Sequence, residues 1–509
     1  MRDLLFHLQP TAPTSLQAQI REKIVTAIVD GQLPEGDRMP SSRQLAKDLN
    51  VSRNTVTLAY QSLVDDGFLS GRERSGYYVG HARLETAKPT LRRAQPGAQS
   101  APGAHAVDWQ ARFTMEPSAQ VNVAKPDNWA KHPFPFIYGQ VDANLFPIAE
   151  WRDCSRQAMG RRWMEDWASD HLASDDPMLV EQVCTRLLPR RGVMAAENEI
   201  LITLGAQHAV FLLSNLLVTQ QTVVGFENPG YTDARNIFSL ATRRLKPIPV
   251  DKDGLIVDER LDGCHVVYAT PSHQAPTTVT MTESRRLALL DKARDQDFVI
   301  IEDDYEFETN YVCAPLPALK SLDRDGRVIY VGSLSKTIFP GLRLGYLVGP
   351  PQLIEEARAL RRLMIRHPPN NCQRTAALFL QLGHHDAMIL KLRRAYGERW
   401  HVMGDAIEKH LPMLERNPSH GGSSVWLKGP EAFDADALAA AALAQGVVIE
   451  PGRAFFASDT PRRNFFRLGF SSIGASRIED GIKVLSRVVQ STSRAFSGAL
   501  QRRLIAAGN

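Results

Sequence analysis

Residues 39–69 read M-P-S-S-R-Q-L-A-K-D-L-N-V-S-R-N-T-V-T-L-A-Y-Q-S-L-V-D-D-G-F-L, and two helix starts are legible in them. Ser41 with Gln44 three residues on has the spacing of a capping box, which predicts a helix to about Leu49. A break at Asn50–Val51 follows, and Ser52 is a good N-cap for the next helix. On that helix Val56, Ala59, Tyr60 and Leu63 recur at helical spacing and predict one buried face, while Gly67 suits the position just past its end. The opposite face of the first turn then offers Arg53, Asn54, Thr55 and Thr57 to solvent, side chains suited to phosphates and base edges in a major groove. Downstream, L-S-G-R-E-R-S-G-Y-Y-V (69–79) reads as a hairpin whose tip carries Arg72 and Arg74, a wing. Periodicity alone fits a helical bundle for protein contacts equally well.

Charge does not decide between the two. From Met1 to His81 nine Lys/Arg face nine Asp/Glu, and the whole chain of 509 residues carries a formal net charge of only +4, so DNA binding would rest on where the charges sit. Beyond the wing, 81–108 (HARLETAKPTLRRAQPGAQSAPGAHAVD) is rich in Ala, Pro, Gly and Gln and poor in large apolar side chains. Such composition cannot bury enough surface to offset its ordering entropy, which predicts a linker over 82–108 between a winged helix-turn-helix at 12–81 and a larger domain at 109–490, with a C-terminal tail at 491–509. No run approaches the roughly 20 apolar residues of a membrane span. The start M-R-D-L-L-F-H-L-Q-P has an acid at Asp3 and no long apolar core, so no secretory signal is expected, and the five cysteines stand far apart, without the spacing of a disulfide framework or a zinc site. A reduced, cytoplasmic protein without metal is expected.

The large region alternates short apolar runs (Ile200–Thr203, Thr222–Phe226, His265–Ala269, Phe298–Glu302, Val328–Val331) with amphipathic stretches, the pattern of βαβ units on a mostly parallel sheet. A Gly, Pro, Ser or acidic cluster follows each run, where ligands gather in such sheets. In V-G-S-L-S-K-T-I-F-P-G-L-R-L-G-Y (331–346), Lys336 follows a buried strand, where its amine could form a Schiff base with an aldehyde cofactor. Ser333 and Ser335 offer hydroxyls and Arg343 a cation for a phosphate, although most Ser/Lys loops are only solvated turns. V-I-I-E-D-D-Y-E-F-E (299–308) sets carboxylates at a strand end, suited to a pyridine nitrogen or to a solvated acidic loop. Gly205-Ala206-Gln207 opens an apolar helix whose N-terminal amides could cradle a phosphate, or is a plain βα turn. Tyr231, in E-N-P-G-Y, could lie against a planar ring or simply pack.

Two resemblances bring these readings together. G-Q-L-P-E-G-D-R-M-P-S-S-R-Q-L-A (31–46) with V-S-R-N-T-V-T-L-A-Y (51–60) resembles the GntR-class winged helix-turn-helix, which implies that Arg43, Ser52, Arg53, Asn54, Thr55 and Thr57 contact double-stranded operator DNA. G-A-Q, P-G-Y, T-P-S-H-Q, E-D-D-Y and S-L-S-K, in that order over about 130–480, resemble the fold-type I aminotransferase domain of MocR/GabR transcription regulators. That resemblance implies pyridoxal 5'-phosphate in an aldimine with Lys336, its pyridine nitrogen on Asp303, its phenolic oxygen near Tyr305 and its ring against Tyr231. It implies further that Arg467, in F-F-R-L-G-F, binds a ligand carboxylate, and that the chain is a homodimer. The expected function is a regulator sensing an amino-acid-like primary amine by aldimine exchange; the alternative is an active aminotransferase with an appended DNA-binding domain. Three features depart from the family pattern. Thr278 stands for the Gly of P-T-G, Ala275 stands where enzymatic relatives place an asparagine, and the usual Tyr and Gly are missing from 172–179. They bear on ligand identity and turnover more than on cofactor binding. S-H-Q-A-P-T-T (272–278) is also similar to regulators of ectoine use, whose effectors are diaminobutyrate-like.

Overall fold

The computed structural model describes residues 8–9, 14–72, 75–80, 107–172, 174–312, 314–417, 421–457 and 462–507, with side chains described as far as 491. The chain divides into two compact units, Met1–Ala111 and Arg112–Asn509. Residues 82–106 of the segment read as a linker at 82–108, and the wing-tip Arg74, lie outside the described residues.

In the first unit three helices, α1 (Leu16–Val29), α2 (Ser42–Leu49) and α3 (Arg53–Asp65), precede an antiparallel hairpin of β1 (Leu69–Arg72) and β2 (Gly76–Val79). The cap chemistry explains the boundaries. Ser41 and Ser52 accept from the backbone N–H of Gln44 and Thr55 at the starts of α2 and α3. Asn50 ends α2 in the left-handed region (φ 52°), which a short polar side chain tolerates. Val56, Ala59, Tyr60 and Leu63 are fully buried against Ile20, Ile24 and Leu45, so α3 contributes the centre of a small core.

The second unit is built on an eight-stranded sheet. In chain order its strands are β3 (Ile200–Thr203), β4 (Val224–Asn228), β5 (Leu245–Asp251), β6 (Gly254–Leu255), β7 (Val266–Ala269), β8 (Val299–Asp304), β9 (Val328–Ser333) and β10 (Gly345–Val348). Their spatial order is β3-β10-β9-β8-β7-β4-β5-β6. The pairs from β9 through β8, β7 and β4 to β5 are parallel, while β10 runs against both of its neighbours. Both faces are covered, which is why the strands read as continuous apolar runs. Alternate residues feed different cores: Ile200 and Ile202 join one cluster and Leu201 another. A four-stranded sheet follows, of β11 (Glu415–Arg416), β12 (Ser424–Lys428), β13 (Glu450–Pro451) and β14 (Phe465–Gly469), in the order β11-β12-β14-β13. The final helix runs unbroken from Ala475 to Ala507, across the position where the sequence suggested a tail to begin. This is a winged helix-turn-helix followed by a fold-type I aminotransferase fold.

Candidate cofactor and effector site, and candidate DNA-facing helix

The carboxyl ends of β4, β7, β8 and β9 converge, and the loops leaving them enclose a cavity of about 370 Å³. Lys336, Asp303, Tyr305, Tyr231, Ala206, Gln207, Ser333, Ser335, Arg343 and Arg467 all line it. Gly205 stands beside it as N-cap of the helix Ala206–Leu217 with φ 81°, a conformation that favours glycine; a Cβ there would meet Arg343 Nη2 at 3.1 Å. Register puts Asp303 opposite Val331 on β9, two residues before Ser333, so acid and lysine loops leave neighbouring strand ends.

Asp303 is buried, and its Oδ2 accepts from Tyr268 Oη at 2.6 Å while Oδ1 has no hydrogen-bond partner among the described residues. Burial pushes its carboxyl up to about 6, against the opposing pull of the Tyr268 hydrogen bond. The hydroxyl of Ser335, also buried, is unpartnered, and Ser333 Oγ accepts from the Ser335 N–H at 3.2 Å. No side chain caps the helix at Ala206, so its first amides keep their donors. Arg343 donates to the Leu204 carbonyl at 3.1 Å and, among the described residues, pairs with no carboxylate. An unpaired buried carboxylate oxygen at one end, and free amides, hydroxyls and a guanidinium at the other, fit the pyridine nitrogen and the phosphate of pyridoxal 5'-phosphate.

Lys336 Nζ sits 4.3 Å from the centroid of the Tyr138 ring, and a Cβ on Gly139 would meet it at 2.3 Å, so glycine leaves the room in which this amine stands. Burial lowers its pKa to about 8, with the nearby Glu306 carboxylate opposing. Tyr305, whose phenol burial raises, borders the same space. Tyr231 donates to Asp233 Oδ2 at 2.9 Å. Arg467 is buried, and its guanidinium already has a carboxylate partner within the chain. Its Nε donates to Glu450 Oε2 at 2.8 Å, because antiparallel pairing of β13 with β14 sets Glu450 directly opposite it. The Arg467 guanidinium also lies over Tyr138, 4.1 Å from the ring centroid.

Several neighbours escaped sequence reasoning. Tyr268, Tyr138, Glu306 and Glu450 sit in apolar or acidic runs with no distinguishing spacing, and Lys125 lies in an irregular stretch; only pairing across the fold brings them to the site. Tyr138 Oη donates to Glu306 Oε2 at 3.0 Å, and Glu306 takes up φ 65°, a left-handed conformation uncommon outside glycine. Thr278, where the family pattern has glycine, likewise holds φ 62°, which explains the glycine.

In the first unit Arg43, Arg53 and Asn54 are exposed, and Ser52 is spent on the N-cap. Thr55 and Thr57 are not fully presented to solvent as expected. Both are half-buried; the Thr55 hydroxyl lies 2.8 Å from Ser52 Oγ, and that of Thr57 donates to the Arg53 carbonyl at 2.9 Å, because a helical threonine reaches back to its own turn. Arg72 lies over the Tyr78 ring at 4.7 Å.

Residues 16–79 match the family described as bacterial regulatory proteins, gntR family, and residues 175–485 match aminotransferase class I and II. The HTH-type transcriptional regulator TauR of Rhodobacter capsulatus is 43% identical over 95% of this chain and 99% of its own. The probable rhizopine catabolism regulatory protein MocR of Rhizobium meliloti is 32% identical over 94% of each. This chain belongs to the MocR/GabR family of transcription regulators. Among solved structures, LysN, the α-aminoadipate aminotransferase of Thermus thermophilus, superposes with a TM-score of 0.69 at 26% identity over 76% of this chain and 99% of its own. The kynurenine aminotransferase of Pyrococcus horikoshii gives 0.68 at 26% over 75% and 98%. The aminotransferase class I and II fold of this MocR/GabR chain implies pyridoxal 5'-phosphate as its cofactor. Among the described residues no helix is long and apolar enough to cross a membrane.

Proposed function

We propose that this MocR/GabR-family chain binds pyridoxal 5'-phosphate at Lys336 and uses the loaded site to sense an amino-acid-like primary amine, changing its affinity for operator DNA. One observation carries the reading: a single cavity joins the Lys336 amine, the unpaired oxygen of buried Asp303 and the Arg467 guanidinium. The cofactor supplies an aldehyde with which a primary amine condenses. Asp303 would hold the pyridine nitrogen, while Gly205, Ala206, Gln207, Ser333, Ser335 and Arg343 would receive the phosphate. Tyr305 and Tyr231, which line the same cavity, would hold the cofactor's phenolic oxygen and ring, and Arg467 would orient the effector's acid group. Operator contact falls to Arg43, Arg53 and Asn54, with Arg72 and Arg74 on the wing; Ser52 sets the start of the helix, and Thr55 and Thr57 contribute through their remaining surface. The domains are 12–81 and 109–490 with a linker at 82–108, the final helix carries on into the 491–509 stretch that the sequence set apart as a tail, and the chain works as a cytoplasmic homodimer.

Titrating the holoprotein's visible absorbance with a panel of amino acids, beside an operator-binding assay, tests this. Borohydride should trap the cofactor on Lys336, and Lys336→Ala should abolish the adduct. An adduct on another lysine, or amines that alter the spectrum without altering DNA affinity, would defeat the reading. The match of 175–485 to aminotransferases, and 31% identity over 59% of this chain to an aromatic-amino-acid aminotransferase of Thermococcus litoralis, favour a second reading as an active aminotransferase with an appended DNA-binding domain. Ala275, in the cavity wall where enzymatic relatives place an asparagine, speaks against it, and multiple-turnover assays with keto-acid acceptors separate the two. Likeness to the ectoine subgroup rests on one loop, 272–278, and the relatives reported above do not extend it.

A further inference from the structure

One wall of the cavity comes from no part of either sheet. Residues 120–125 form an irregular strap whose Asn122, Val123 and Lys125 line the space above Lys336. It is held at three points. Gln120 donates to the Asn236 carbonyl at 2.9 Å and to Ser239 Oγ at 2.8 Å, and Asn236 Nδ2 donates back to the Val121 carbonyl at 3.0 Å and to Asn122 Oδ1 at 2.9 Å. Val123 packs on the aromatic cluster of Trp426, Phe455, Phe456 and Phe465. Lys125 Nζ donates to the Tyr138 carbonyl at 3.2 Å and stands 3.5 Å from Glu450 Oε1. Glu450 therefore faces two cations, Arg467 on Oε2 and Lys125 on Oε1, and the second contact is a loose ion pair in which Oε1 gains no hydrogen bond.

We propose that Lys125 is a second contact for the effector's acid group, so that the acid is held between Lys125 on the strap and Arg467 on β14. Charge supports it. At Glu450 two cations share a single carboxylate, so an acid group entering there would meet cations that this carboxylate does not fully neutralise. Geometry supports it too. An ammonium has three donors, and among the described residues Lys125 spends one on Tyr138. A neutral effector would leave both cations facing an apolar ring and a single carboxylate. The amine end of the same effector is set by Lys336: Lys336 Nζ and the Arg467 guanidinium carbon lie 4.3 and 4.1 Å from the Tyr138 ring centroid, so the two groups share one ring and one side of the cavity. The class of ligand is thus an amino acid whose amine and acid group fit one cavity. Position gives the contact a further consequence, because the strap is among the first stretches of the second unit in chain order, downstream of the residues that lead from the DNA-binding unit. An acid bridging Lys125 to Arg467 would add one more tie to those that Val123 and Glu450 already make between that stretch and the small sheet.

The inference rests on the proposed sensing function, and the experiment separates the two. Full-length holoprotein is titrated by visible absorbance with L-alanine, β-alanine and 4-aminobutanoate, each against its decarboxylated counterpart: ethylamine for the first two and propylamine for the third. Wild type should bind the amino acids more tightly than the amines. Lys125→Gln should shrink that preference roughly tenfold, the worth of one charge-assisted contact, and Lys125→Arg should restore most of it. The Lys125 side chain is 33% exposed, so the fold does not rest on it. An undiminished preference in Lys125→Gln overturns this assignment while leaving the sensing function and Arg467 in place. Wild type that does not distinguish acids from amines overturns acid recognition altogether, and Lys125's part with it.

Discussion

To hold the cofactor as proposed, Lys336 must meet it as a free amine, and its surroundings decide how often it is one. Burial brings it from 10.5 to about 8, so at neutral pH roughly a tenth of the chains hold it unprotonated, against fewer than one in a thousand for an ordinary lysine. The rate at which cofactor-free protein takes up pyridoxal phosphate should rise about tenfold per unit up to pH 8 and then level off. Stopped-flow absorbance across that range checks it; a profile still climbing at pH 10 would mean that the site does not desolvate the amine. At Arg467 the pairing with Glu450 changes what a single substitution reports. Arg467→Ala leaves a carboxylate that is 1% exposed with only the loose Lys125 contact, and losing one partner of a buried pair costs about 3–5 kcal/mol when nothing replaces it. Denaturant unfolding should therefore find Arg467→Ala less stable than the Arg467→Ala/Glu450→Gln double variant. Equal stabilities would show that Glu450 is not held by this arginine.

At the scale of elements, the local chemistry of the DNA-binding unit was readable almost residue by residue. Caps, helical spacing and the glycine after α3 are all settled within a few residues of chain. Ser52→Ala should cost the domain about 1 kcal/mol in thermal or denaturant unfolding, the usual worth of an N-cap. Arg53→Ala, one residue on and exposed, should leave stability within about 0.5 kcal/mol while weakening operator binding by about 1–3 kcal/mol if it reads a base. Binding unchanged by Arg53→Ala would remove α3 from the groove. The strands of the large sheet were legible as apolar runs, and the strand-end clusters pointed to the cavity. What escaped was set by pairing between distant elements. Nothing in V-I-E-P announces that Glu450 lies opposite Arg467, because register is a property of two strands. Lys125 looked like one charge in an irregular stretch, and Thr57 looked like a solvent-facing donor until its reach back to Arg53 was seen.

At the scale of the whole molecule, sensing requires that the cavity and the helix α3 share one free-energy surface, although they lie in separate compact units. An effector shifts DNA affinity only through its different affinity for the DNA-competent and DNA-incompetent states. Lys336→Ala should keep operator binding, since the first unit carries its own core around Tyr60 and Leu63, and should lose the response to amines. A full response in that variant would move sensing to a non-covalent site. Reciprocity is the stricter requirement. If a given amino acid changes operator affinity by some factor, saturating operator must change the affinity for that amino acid by the same factor, in the direction that closes the cycle. For the usual coupling of about 1–3 kcal/mol this is a shift of roughly 5- to 150-fold, large enough to read by repeating the absorbance titration with and without operator DNA. A spectral midpoint unmoved by operator, in a protein whose DNA binding does respond to the amine, would break the thermodynamic cycle for a single bound amine. The response would then have to come from a second molecule bound elsewhere, and Lys336 would be a cofactor site without a regulatory role.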